Sequence, residues 1–380
     1  MNKRRANPYV FASPVTGEAF ADREPELKAL LACMMNGQKA LLLSPRRYGK
    51  TSLAENAIAS LRRRGGRASR VSLFAATSRR EAAQAIATAV VNQLLGWAEG
   101  RLEVLHQQLA TIRASFALEV SADGVRVTLT AAEGRDADWA RITAETIRLL
   151  QRTSSPRRPA ALVIDEFQRA AEIDPAYPNL FKELVDQLAG VSLVFAGSKH
   201  HLMRRLSEGP GAPLLKVGVR ISLQVIPRPA MAGFLRERAA GHGKPMTAAA
   251  AGLIYDLARG IPNDVQELAF FSFQNAARTI EEPAVRESLD QLVRLQSADL
   301  ASAYEGLAPM QQRLLRLLAR NPIASPYSGA VAQAVEGANP SAVQRALGRL
   351  QELELVSRGE QGWQVASGLM EEWLRGLDRL

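Results

Sequence analysis

A chain of 380 residues, 47% apolar and 23% charged, is longer than one typical hydrophobic core fills, so two or three globular domains are expected and wholesale disorder is excluded. Cys33 is the only cysteine, which excludes an internal disulfide and a thiolate zinc site, and no apolar run is long enough to cross a bilayer. The formal charge of +10 lies before residue 300, because residues 300–380 hold eight basic and eight acidic side chains.

The opening MNKRR is basic but runs into NPYVFASP and not into a signal-peptide core, so a cytoplasmic location is expected. KALLL, ending at Leu43, has the length of a buried strand. SPRRYGKT follows it, then SLAENAIASLRRR, whose Leu53, Ala57 and Leu61 recur at helical spacing until Gly65-Gly66. RASRVSLF reads as a second strand and residues 81–95 as a second helix. From Arg62 to Arg80 there are seven arginines and no acid until Glu81, a tract that either attracts phosphates and nucleic acid or merely solvates an arginine-rich surface. Residues 116–120 and 125–130 alternate around Ala122-Asp123-Gly124, a hairpin signal. Residues 139–150 are helical. ALVID then forms a third core strand behind the breaker SSPRRP, residues 179–188 a helix, and VSLVFAGS a fourth strand. Strands alternating with helices predict a parallel sheet wrapped in helices.

Beyond Val225 only helical patterns continue to about residue 300. The expected domains are 1–226, 227–303 and a compact tail over 304–380. In the tail, LVSRGEQGWQVA reads as two short strands around Gly359–Gly362, a small wing. The preceding segments fit a helix-turn-helix, its second helix starting at Ser341 with Ala342, Ala346, Leu347 and Leu350 facing inward. Gln344, Arg345 and Arg349 are the side chains that would meet duplex DNA, although the neutral charge of the tail argues for a packing role instead.

The chemistry-bearing residues sit at strand ends. Ser44-Pro45-Arg46-Arg47-Tyr48-Gly49-Lys50-Thr51 has the spacing of a phosphate-cradling loop, with Ser44 in place of the usual first glycine. Backbone N–H groups would surround phosphates, Lys50 would reach them, Thr51 would ligate Mg²⁺, and Ser52 belongs to the same binding turn. LVIDEF ends its strand in two carboxylates, at the edge where open α/β sheets bind ligands. There Asp165 would hold Mg²⁺ beside Thr51 and Glu166 would orient or deprotonate water. Side chains alternate along a strand, so the two acids need a local turn to face one site; the pair also suits a helix cap. Ser198 supplies a polar group at the end of the next strand.

Together these segments resemble the archaeal-type ATPase family within the STAND/AAA+ radiation. The resemblance rests on Phe20-Ala21-Asp22-Arg23-Glu24 with Glu26-Leu27, on Pro45 to Leu53, on Asp165 to Gln168, on Gly197-Ser198, and on ARGIPNDVQEL. It implies a P-loop NTPase sheet flanked by helices, an all-α lid and a winged-helix domain, acting on ATP with Mg²⁺. By the same resemblance Phe20 and Arg23 line the adenine pocket, Gly260 and Pro262 close it from the lid, and Ser198 reads the γ-phosphate. Two features depart from the pattern: Ser44, and a lid helix offering Asn263, Asp264 and Gln266 where many relatives place an arginine. No arginine finger is assigned; Arg204, Arg205 and Arg220 follow the sensor strand. The expected function is ATP hydrolysis coupled to conformational change, slow without a homo-oligomeric or protein partner. The alternatives are a nucleotide-dependent DNA-binding or signalling switch, and a scaffold with structural nucleotide.

Overall fold

Two compact units make up the chain, one spanning Pro14–Gln224 and the other joining Met1–Ser13 to Val225–Leu380. The computed structural model describes residues 6–95, 117–121, 124–128, 139–198, 200–335 and 339–377. The Pro14–Gln224 unit runs α1 (Glu24–Met35), β1 (Ala40–Leu43), α2 (Lys50–Arg63), β2 (Arg67–Ser72), α3 (Arg79–Leu95), β3 (Ala117–Ser121), β4 (Gly124–Thr128), α4 (Trp139–Thr153), β5 (Ala160–Asp165), α5 (Gln168–Ile173), α6 (Tyr177–Gln187), β6 (Val191–Gly197), α7 (His200–Ser207) and β7 (Val219–Ser222). The five core strands are all parallel, in the order β2-β5-β6-β1-β7. β3 and β4 pair antiparallel as the hairpin pattern predicts. The expected turn at 122–123 and the outer ends at 116 and 129–130 lie outside the described residues.

Strand periodicity decides which side chains reach which face. Leu162 and Ile164 of β5 and Leu193 and Phe195 of β6 enter the core under α3, α4 and α6. Ala161, Val163, Val194 and Ala196 enter the opposite core under α1 and α2, with Leu53, Ala57 and Leu61. Both faces are covered, so these strands read as unbroken apolar runs. β7 went unread because it is an edge strand: Ile221 alone of its four residues is buried.

The second unit holds α8 (Arg228–Gly241), α9 (Ala248–Leu257), α10 (Pro262–Asn275), α11 (Glu282–Leu295), α12 (Ser297–Glu305), α13 (Pro309–Arg320), α14 (Gly329–Ala334), α15 (Pro340–Glu352), the antiparallel hairpin β8 (Val356–Gly359) and β9 (Gly362–Val365), and α16 (Gly368–Leu377). Residues 6–13, counted with the first domain from sequence, group with these helices. The Tyr9 hydroxyl donates to Leu235 O at 2.6 Å, Asn7 donates to Phe270 O at 2.9 Å, and Phe11 meets Phe270 edge-on at 5.2 Å. α13, α14, α15 and the hairpin enclose one small core of Leu314, Leu318, Val343, Leu347, Val356 and Val365. α15 begins earlier than the sequence reading has it. Asn339 is the cap, accepting from Ala342 N at 2.8 Å, with Pro340 in the first turn, so Val343 replaces Ala342 in the buried stripe. Among the described residues no helix is long and apolar enough to cross a membrane.

Candidate active site

The loop between β1 and α2 owes its shape to two left-handed residues, Arg47 at φ 69° and Gly49 at φ 85°. Gly49 adopts that conformation freely; Arg47 does so at a cost on the order of 1 kcal/mol. Ser44 does not have a positive φ, so the serine replaces the usual glycine without backbone strain. Its Oγ is buried and has no hydrogen-bond partner. Beyond Gly49 the first N–H groups of α2 lack carbonyls one turn back, which makes this terminus a natural anion cradle. Lys50, Thr51 and Ser52 form that first turn, while in the loop before it Arg46 and Arg47 are exposed and Pro45 is half-buried.

Several contacts brace the loop from outside. Arg23 is buried and directs its guanidinium to Tyr48 O at 3.4 Å, to Gln224 O, and to Glu26 at 3.0 Å. Ser52 Oγ accepts from Val15 N at 3.1 Å, and Asn56 binds Val15 O at 2.9 Å. Phe20 and Tyr48 pack against the apolar cluster beneath α1 and α2. The sequence motif around Phe20 and Arg23 is thus fastened to the phosphate loop, Arg23 through the Tyr48 carbonyl.

Opposite the loop, β5 delivers the acids. Ala161, Val163 and Asp165 share one face of the strand, the face toward α2, so periodicity alone aims Asp165 at Thr51. Glu166 would then point away, but its φ of 53° turns the chain and returns its carboxylate to the same side. Such a conformation costs about 1–2 kcal/mol for a non-glycine residue and persists only where neighbours fix it. Phe167 does the fixing. Its ring is fully buried, edge-on to Phe181 at 5.0 Å and Phe195 at 4.7 Å, and its N–H donates to Ala196 O at 2.9 Å.

The four expected side chains converge. Lys50 Nζ contacts Asp165 Oδ1 and lies 3.0 Å from Glu166 Oε1, while Thr51 Oγ1 lies 3.3 Å from Asp165 Oδ2. Ser198 Oγ donates to Glu166 Oε2 at 2.9 Å. Two further residues join that had no assigned role. Gln168, one turn beyond the strand and buried, donates its side-chain amide to Glu166 Oε2. Arg70 on β2 reaches Asp165 Oδ2 at 3.3 Å and Glu55 at 2.7 Å. Gln168 sits inside the quoted DEFQ segment, so its position carried a signal. Arg70 was visible only as one arginine of a tract, because the β2–β5 pairing that brings it to Asp165 is not local in sequence.

Asp165 and Thr51 offer hard oxygen donors side by side, as Mg²⁺ requires, and the buried, unpartnered Ser44 Oγ leaves a polar group at the base of the loop for a ligand or water. Counting Lys50 and Arg70 against Asp165, Glu166 and Glu55, the cluster is one negative charge in excess, which suits a divalent ion. Gly260, at φ 66°, and Pro262, in the first turn of α10, belong to the second unit, where the Tyr255 ring backs Gly260. Arg204 and Arg220 both pair with Glu208, while Arg205 is an exposed residue of α7.

Comparisons with known proteins bear on the fold. Residues 36–206 match the family model described as AAA domain. No curated protein sequence matches. Among solved structures, a Walker-type ATPase of Pyrococcus abyssi superposes with a TM-score of 0.68 at 17% identity, covering 96% of this chain and 99% of that one. The ORC2 protein of Aeropyrum pernix, in ADPNP–ADP complexes, gives 0.54 at 13% identity over 100% and 99% of the two chains. The ORC1 protein of Aeropyrum pernix, in complex with DNA, gives 0.51 at 16% identity over 96% and 95%. The fold is therefore that of a P-loop NTPase, and residues 36–206 are similar to the AAA domain.

Proposed function

We propose that the protein is an AAA+/STAND-type ATPase that binds MgATP at this cluster, hydrolyses it to ADP and phosphate, and couples hydrolysis to movement of its helical parts. The reading rests above all on one observation: Lys50, Thr51, Asp165 and Glu166, from two segments far apart in sequence, meet in one polar cluster at the strand ends. The N–H groups from Gly49 to Ser52 surround the phosphates, and Lys50 leaves its carboxylates to meet them. Thr51 and Asp165 hold Mg²⁺, which neutralises charge on the phosphates. Glu166, positioned by Ser198 and Gln168, aligns the attacking water and takes its proton. Arg23 acts mainly as the brace of the loop, with Phe20 beside the base. Residues 227–303 act as the lid, bringing Gly260 and Pro262 to the adenine, and residues 304–380 as a winged helix able to present Gln344, Arg345 and Arg349 to duplex DNA. Turnover is slow without a second copy or a protein partner, and the setting is cytoplasmic.

Phosphate release from MgATP by the purified chain tests the reading. Lys50→Ala is expected to lose nucleotide binding, and Glu166→Gln to keep binding but lose turnover; equal turnover by wild type and Glu166→Gln contradicts the assigned base. A second reading, a nucleotide-dependent DNA-binding or signalling switch with little turnover, is favoured by the pairing of Arg204 and Arg220 with Glu208, which leaves the exposed Arg205 of α7 as the remaining finger candidate of the three. Retention on DNA that requires ATP but proceeds without phosphate release selects it.

A further inference from the structure

Of the arginine tract that begins at the end of α2, the proposed ATPase site uses Arg70 alone. In the fold, the turn over residues 62–67 lies against the turn over residues 154–159. Arg67 N donates to Pro159 O at 2.8 Å, and Arg67 pairs with Ala160 across the β2–β5 ladder. The neighbouring loops are tied to the same edge, with Ser154 Oγ donating to Gly190 O at 2.7 Å and Ser192 Oγ to Gln38 O at 2.6 Å. Two turns, RRRGGR and SSPRRP, therefore bring Arg63, Arg64, Arg157 and Arg158 together at the N-terminal edge of the sheet, all four exposed. Neither turn contains an acid, and among the described residues no ion pair engages these four.

We propose that this edge is a binding surface for the phosphate backbone of duplex nucleic acid, read through Arg63, Arg64, Arg157 and Arg158. Each guanidinium is a planar fork, which matches phosphate oxygens better than a lysine ammonium does; Arg63 also meets Ser60 Oγ at 3.0 Å and Arg64 meets Met35 Sδ at 3.3 Å, contacts that involve no acid. Neither turn carries an aromatic side chain on which an unpaired base could stack, so the surface favours a duplex over a single strand. Like charges are also crowded here. Burial and the neighbouring Arg158 hold the Arg67 guanidinium below its ordinary pKa, an arrangement that a bound polyanion relieves. The surface is independent of the proposed nucleotide chemistry. Ala160 and Asp165 end the same strand on opposite edges, about 17 Å apart along it.

Anisotropy of a fluorescein-labelled duplex of about 30 base pairs, titrated with the full chain from roughly 50 to 200 mM salt, tests the proposal. Replacing the four arginines with glutamine is expected to weaken binding at least about tenfold at the low-salt end and to flatten the log–log salt slope by about 3.6, at 0.9 per lost phosphate contact. Replacement with lysine is expected to keep the slope. Should the fourfold variant fold poorly, Arg157→Gln with Arg158→Gln alone is expected to flatten the slope by about 1.8. An unchanged slope in the folded glutamine variants overturns the proposal. So does a wild-type chain that ignores duplex but binds vesicles of anionic lipid, or loss of all binding with Arg345→Gln and Arg349→Gln alone.

Discussion

Gln168 gives the sharpest test of how the acids are held. Its amide donates to the same Glu166 oxygen that accepts from Ser198, while the other Glu166 oxygen faces Lys50. Gln168→Leu removes one of these donors and keeps the volume. A hydrogen bond to a charged group is worth roughly 1.5–3 kcal/mol, and each 1.4 kcal/mol of lost transition-state stabilisation costs a decade in rate. Because Lys50 must leave Glu166 when phosphates bind, the share carried by Gln168 and Ser198 is greatest in the reacting state. The expected loss in kcat is therefore about 10- to 100-fold. Among the described residues no hydrogen bond joins the Gln168 side chain to the phosphate loop, so the Kd of a fluorescent ATP analogue should stay within about threefold. Gly197→Ala should act through the same contact, because a Cβ there would meet Gln168 Oε1 at 2.6 Å and Met203 Sδ at 2.5 Å. Gln168→Glu places a second carboxylate beside Glu166. Like charge raises the proton affinity of the pair, the base stays protonated to higher pH, and the acidic limb of the rate profile should move upward. Full turnover by Gln168→Leu, with an unmoved pH limb in Gln168→Glu, would refute the reasoning, as would a parallel loss of nucleotide affinity.

Lys50→Ala should destabilise the nucleotide-free Pro14–Gln224 unit as well as abolish binding. It leaves Asp165 and Glu166 facing each other with Arg70 as the remaining cation, at a cost of about 2–3 kcal/mol, readable in urea unfolding. Stability equal to wild type would mean that the acids find other partners. In the second unit, Glu371 receives both Arg259 and Arg375, and burial disfavours the charged form of Arg259. Glu371→Ala should lower the stability of that unit by about 2 kcal/mol, less than a fully buried pair because water reaches Arg375. An unfolding midpoint that does not move would count against this role.

How far the sequence could be read depended on whether the signal was local. The strands β1, β5 and β6 are buried on both faces and announce themselves as apolar runs, and α2 shows its stripe. β7 shows one buried residue in four, below what a pattern reveals. The missing glycine at Ser44 looked costly from the motif alone; the backbone places its left-handed turns at Arg47 and Gly49 instead. The turn that two adjacent acids require was anticipated as a geometric need. Its cause was not, because it lies in Phe167 and the ring cluster of Phe181 and Phe195, contacts between separate elements. Arg70 and Gln168 belong to the same class: the first depends on strand pairing, the second on the space left by Gly197.

The cluster satisfies its own charges before any ligand arrives, and this constrains how ATP enters. Lys50 is shared between Asp165 and Glu166, and Arg70 shields one oxygen of Asp165. A triphosphate that came without a divalent cation would draw Lys50 away and leave two carboxylates facing its own negative charge. With the cation, Asp165 and Thr51 gain a ligand as Lys50 departs. ATP should therefore bind at least about 30-fold more weakly in EDTA than with Mg²⁺, equivalent to about 2 kcal/mol, a modest share of the cost of unpairing partly buried acids. Asp165→Asn removes one of those charges, so its affinity in EDTA should exceed that of wild type while its gain from Mg²⁺ shrinks. Calorimetric titration of both proteins decides the matter: equal ATP affinity with and without the cation in the wild type would show that Lys50 is not held by the acids in solution.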